Sequence, residues 1–173
     1  KTAQDHDQVL QQVALDLVAA NFDAPLPDDV MPWKYRKLIS NIGNVFQALV
    51  GRNGDWRPLI AEAETEARGV LDAAGIAYIS EAEEAAARAA GFIMRPVSGV
   101  PEATGGSTWQ SLHRGTGNIE TDYLNGEIVA LAHRAGIQAP INERLAMLAR
   151  RAAATGAKPG EMSAAELAKL LHG

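Results

Sequence analysis

A chain of 173 residues that is 47% hydrophobic, 21% charged and 5% aromatic carries enough apolar material for a real core, since a domain of this size buries roughly 70% of its unfolded surface. It contains no cysteine, which excludes disulfides, thiolate metal sites and a cysteine nucleophile. A formal charge of −5 argues against a nucleic-acid backbone binder. With no run of about 18 apolar residues and no hydrophobic leader in KTAQDHDQVL, a cytoplasmic protein without a membrane span is expected.

Asp5 or Asp7 is placed to cap a first helix carrying Val9, Leu10, Val13, Leu17 and Val18, and the stretch 21–31, with Pro25 and Pro27, ends it. Pro32 suits the first turn of a second helix that runs to Gly51 and Gly54. In it Leu38, Ile39, Ile42, Val45, Phe46, Leu49 and Val50 form a broad apolar surface, while Lys37, Asn41 and Asn44, four and then three residues apart, form a polar stripe. Such a stripe either caps something structural or lines a cleft.

Asp55 and Gly75 bracket a third helix with Leu59, Ile60, Ala63, Ala67 and Val70 as its buried face. Ser80 with Glu83 makes a capping-box pattern that opens a fourth, alanine-rich helix closing at Gly91. Residues 92–106, FIMRPVSGVPEATGG, form the longest connection and a candidate active-site loop. A short helix follows from Ser107, then a turn at 115–118. The spacing of Tyr123, Leu124, Ile128 and Leu131 predicts an amphipathic helix from about Ile119 to Ala135, stopped by Gly136. Another helix runs from Pro140 towards Thr155, and Ser163 with Glu166 opens a last one. The expectation is an all-α fold of seven or eight helices, one domain over 1–173, with no internal repeat.

Several familiar signals fail. GTGN at 115–118 begins like a dinucleotide fingerprint, but Glu120 stands at the third glycine and no strand precedes it. His6, His113, His133 and His172 show no metal-ligand spacing, so no metal site is expected. The basic residues Arg144, Arg150, Arg151 and Lys158 read as a solvated face. The stretch STWQSLHRGTGNIETDYLNGE, 107–127, gathers Ser107, Gln110, Glu120, Asp122 and Asn125 beside Trp109, Tyr123 and Leu124, whose apolar bulk suits burial. Ser107 and Asn118 sit where helix N-caps would sit, and Glu120 where a first-turn acid favours the helix dipole.

Taken together, KYRKLISNIGN, STWQS and IETDYLNGEIVALAHRAGIQAPIN, in that order, resemble the C-terminal domain of the ketopantoate reductase (2-dehydropantoate 2-reductase) family over residues from about 5 to 150. The resemblance implies an all-α multi-helix domain like the C-terminal domain of 6-phosphogluconate-dehydrogenase-type reductases. It implies Lys37 as general acid to the keto oxygen, Glu120 as the active-site glutamate, Asn41 as substrate-binding asparagine and Ser107 as a serine holding the substrate carboxylate. Such equipment suits ketone reduction, where negative charge develops on oxygen.

Three departures stand out. Asn44 follows Asn41 by three residues where the family commonly has four, Ser111 replaces an aspartate, and the turn RGTGNIE is one residue longer than the usual form. The family's NADP is bound mainly by a preceding Rossmann domain with GxGxxG, and this sequence contains no such fingerprint. The chain is therefore expected to be the substrate-binding half of a 2-oxo-acid reductase in pantothenate biosynthesis, inactive alone, with the Rossmann domain as partner and a homodimer favoured by apolar surface around Leu124–Leu131 and Leu145–Leu148. A stand-alone helical interaction module is the rival from another class. A relative acting on a different 2-oxo acid, of opine-type or β-hydroxyacid dehydrogenase kind, is the rival within the class.

Overall fold

The computed structural model describes residues 8–52, 54–91, 105–117 and 119–173. Asp5, Asp7, His6, Asn118 and most of the candidate loop, 92–104, lie outside the described residues. Among those described, nine α-helices and one 3-10 turn follow one another without a strand: α1 (Gln8–Ala19), α2 (Met31–Ile42), α3 (Asn44–Val50), α4 (Arg57–Ala73), α5 (Glu81–Gly91), α6 (Ser107–Arg114), the 3-10 turn Glu120–Tyr123, α7 (Asn125–Arg134), α8 (Pro140–Thr155) and α9 (Ala164–His172). The fold is all-α, as the sequence predicts, and no helix of the described residues is long and apolar enough to cross a membrane.

Described residues 8–37 and 77–91 form one compact body, and 38–76 with 105–173 form another. In the first body, Arg36 Nε donates to Glu84 Oε2 at 2.6 Å, with both side chains largely buried. The hydrogen bond from Arg36 lowers the pKa of Glu84. A carboxyl with a lowered folded pKa contributes stability that is present above the ordinary carboxylate range and is lost as pH falls through the folded value. Ser80 and Glu83 make the predicted reciprocal cap: Ser80 N donates to Glu83 Oε2 at 2.8 Å and Glu83 N to Ser80 Oγ at 3.1 Å. Helix α1 forms where expected, but its apolar residues stay uncovered. Val9, Val13 and Val18 are exposed and only Ala14 is buried.

The second body holds the main core. Ile39, Ile42, Phe46, Leu71, Ile128, Leu145, Leu167 and Leu171 are fully or almost fully buried. Helix α3 packs on α6 and α8, α7 on α4 and α8, and α9 on α8. Leu59, Ala63, Ala67 and Val70 form the buried face of α4 as predicted, with Ile60 half-buried. The last helix opens with the expected capping box, Ser163 with Glu166.

Four expectations are corrected. The second predicted helix breaks at Gly43, where Phe46 N bonds back to the Gly43 carbonyl at 3.2 Å and α3 begins at Asn44. Glycine's poor helix propensity makes it a natural break. The predicted helix from Ile119 to Ala135 is a 3-10 turn and α7, separated at Leu124 (φ −110°, ψ −91°), which turns Tyr123 outward so that it is 81% exposed. Helix α4 lies between Asp55 and Gly75 as expected, with Trp56 at its N-cap, whereas α6 has Gly106 at its N-cap, with Ser107 as its first helical residue rather than the cap. The apolar residues of α7 and α8 named as surplus surface, Ile128, Leu131, Leu145 and Leu148, are buried in the core. Exposed large apolar residues concentrate instead on α1.

Candidate functional site

Helix α2 brings Lys37, exposed, and Asn41, half-buried, one turn apart along its length. Past the break at Gly43, the half-buried positions continue through Asn44 and Gln47 on α3. Gln47 is a site-forming residue that the sequence reading missed. It continues the i, i+3 polar stripe, which is the signal that could have found it. Its Oε1 accepts from Gly106 N at 3.0 Å, tying the start of α6 to α3.

Asn44 lies against the same point. A Cβ on Gly106 would come within 2.7 Å of Asn44 Oδ1, so only glycine lets α6 begin this close to α3. Ser107 follows directly. Trp109, half-buried rather than buried, stacks on His113 with ring centroids 4.8 Å apart. Gln110 Nε2 donates to Gly105 O at 3.0 Å and Gln110 Oε1 accepts from Arg114 at 3.2 Å.

A polar cleft of about 320 Å³ lies along this helix, lined by Ser107, Gln110, Ser111, Arg114, Thr116, Ile119 and Glu120. The structure thus brings together Ser107 and Glu120, which lie 13 positions apart in sequence. Among the described residues, the side chains of Asn41, Asn44, Ser107 and Glu120 make no hydrogen bond or ion pair. Beside the two cleft residues, Thr108 and Thr121 bury hydroxyls that find no partner among the described residues, at a cost of about 1–3 kcal/mol each. Lys37 belongs to the first body, where it lines a groove of about 380 Å³ with Asp23, Trp33, Arg36, Ile79, Glu84, Ala87 and Arg88.

Other polar residues of the motif-rich stretch serve the fold. Asn125 and Asn142 are buried, and Asn125 Nδ2 donates to Asn142 Oδ1 at 3.0 Å. Asn142 Nδ2 donates to Glu66 Oε2 at 2.8 Å and to Ala63 O at 3.1 Å. Glu66 also accepts from the Ile141 and Asn142 backbone N–H groups at 2.9 and 2.8 Å, supplying the first turn of α8 with a carboxylate. Asp122 pairs at the surface with Arg150 at 3.1 Å. No group of three or more metal-ligating side chains occurs among the described residues.

Fold and cleft define an all-α domain with an open polar site at the start of one helix. The model of the family "Ketopantoate reductase PanE/ApbA C terminal" matches residues 29–153, and the chain belongs to that family. Among solved structures it is similar to a PanE/ApbA family ketopantoate reductase from Ralstonia eutropha JMP134, with a TM-score of 0.63 and 27% identity over 84% of this chain and 49% of that one. The chain thus spans about half the length of that relative. Among curated proteins, none matches.

Proposed function

We propose that this chain is the substrate-binding, catalytic-lysine domain of an NADP-dependent reductase of 2-oxo acids, with ketopantoate as the reference substrate in pantothenate biosynthesis. The observation that carries this reading is the convergence of Ser107 and Glu120, both uncommitted, on one polar cleft of a ketopantoate reductase family domain. Ser107, at the first turn of α6, is suited to hold the substrate carboxylate with help from the helix N-terminus. Lys37 gives its proton to the keto oxygen as negative charge develops there. Asn41 and Asn44 orient the substrate, and Glu120 binds its hydroxyl.

The described residues offer no strand-to-helix turn with a glycine-rich cradle for a pyrophosphate, so they do not fit a nicotinamide dinucleotide by themselves. The nucleotide is assigned to a Rossmann domain acting with this one in the cytoplasm. The 173 residues alone are expected to show no NADPH oxidation with ketopantoate. Self-association as a homodimer belongs to the same proposal and now rests on the exposed apolar residues of α1.

Asn44 opens a helix of its own, and Ser111 shares the cleft with Arg114. Both features favour a 2-oxo acid whose side chain differs from that of ketopantoate. The test is steady-state kinetics on a protein joining this domain to its nucleotide-binding domain. Ser107→Ala is expected to raise KM for the 2-oxo acid about tenfold, the loss of roughly one charge-assisted hydrogen bond. An unchanged KM would remove Ser107 from the site.

A further inference from the structure

A cavity of about 790 Å³ in the second body opens among α3, α6, α8 and α9, and none of the residues assigned to ketone reduction lines it. Much of its wall, from Thr155 to Gly173, lies beyond residue 153, where the family match ends. Its floor is apolar, with Leu49, Leu112 and Leu148 reaching it from α3, α6 and α8. A volume in the hundreds of cubic ångströms with an apolar lining and a few charged groups is the usual form of a small-molecule site.

The wall is held in place. Gly160 N donates to Ala48 O at 3.0 Å and Met162 N to Leu49 O at 3.1 Å, pinning the α8–α9 connection to α3. A Cβ on Gly160 would come within 3.3 Å of the Gly51 Cα, and both glycines have positive φ. The cavity is thus preformed rather than a gap between loose segments.

Charge at its rim is unbalanced. Glu161 accepts from Lys158 N at 2.8 Å, and Glu166 accepts from Ser163 N and Oγ at 2.8 and 2.7 Å, so both carboxylates are held by backbone and cap and set two negative charges against the three cations of the rim. Arg151, Lys158 and Lys169 line the same rim, and their charged ends make no hydrogen bond or ion pair to any described residue. Of the basic cluster read as a solvated face, Arg150 pairs with Asp122 and Arg144 donates to the Leu171 carbonyl. Arg151 and Lys158 instead face the cavity.

We infer that this cavity is a binding site for a small amphipathic carboxylate, of the medium-chain acyl type, with its chain on the leucine floor and its carboxylate among Arg151, Lys158 and Lys169. The site is separate from the reductase cleft and does not rest on that function.

Titration of the chain with decanoate and with decyltrimethylammonium, both below their micelle concentrations, followed by calorimetry, tests it. Decanoate is expected to bind at least tenfold more tightly than the cation of equal chain length. The double substitution Arg151→Glu and Lys169→Glu should weaken decanoate at least tenfold. Both positions are exposed, and circular dichroism checks that the fold is kept. Arg134→Glu, an exposed charge on α7 outside the cavity, should change binding less than twofold. No measurable decanoate binding, equal binding of the two amphiphiles, or equal loss with Arg134→Glu would overturn the assignment.

Discussion

Asn125 and Asn142 hold their carboxamides in a closed network with Glu66, whereas Asn41 and Asn44 leave theirs unengaged by any described residue. All four belong to the sequence patterns that carry the family resemblance. The first pair is buried at the junction of α4, α7 and α8, and every bond it makes offsets the cost of taking an amide out of water. The second pair is half-buried along α2 and α3. One motif vocabulary thus serves two ends, and burial with hydrogen-bond saturation separates them.

Asn142→Ala attacks the closed network most directly. It strips Glu66 and the Ala63 carbonyl of a donor and leaves Asn125 unpaired inside the core, with an expected loss of about 3 kcal/mol. Chemical denaturation measures this, and a loss below about 1 kcal/mol would show that the network is not what holds α8 to α4. Glu120→Ala probes the open cleft. In a protein that also carries a nucleotide-binding domain, kcat/KM should fall at least about tenfold while the midpoint of unfolding shifts little, because the exposed side chain has no hydrogen bond or ion pair to a described residue to lose. A destabilised variant with normal activity would place Glu120 with Asn142 rather than with Ser107. Asp122→Ala is the smallest of the three. Asp122 and Arg150 are each more than half exposed, so loss of their pair should cost less than about 1 kcal/mol and leave kinetics unchanged.

The helices and the caps at Ser80 and Ser163 were legible from the chain, because Ser80 with Glu83, Ser163 with Glu166 and Pro140 are local signals. Breaks within helices were not. Gly43 is one glycine inside an otherwise continuous pattern, and Leu124 carries no breaker chemistry at all. The outward turn of Tyr123 follows from that second break, since a 3-10 turn rotates its residues by a different angle from an α-helix.

The cleft was half legible. Ser107, Glu120 and the asparagines stood out because polar residues interrupt apolar periodicity, while Gln47, the next position of the same stripe on α3, was not singled out. Glu66 was invisible for another reason. A carboxylate in the acidic run Glu62, Glu64 and Glu66 reads as solvated, and only the arrival of α8 from 75 residues away shows what it caps.

The central claim, that Lys37 supplies the proton in ketone reduction, is tested most directly by the kcat of Lys37→Ala with ketopantoate and NADPH, in a protein uniting this domain with its nucleotide-binding domain. The account predicts a fall of about a hundredfold or more, with the free energy of unfolding within about 0.5 kcal/mol of the parent, as befits an exposed position. A kcat within about twofold of the parent would contradict it and return Lys37 to the surface of α2.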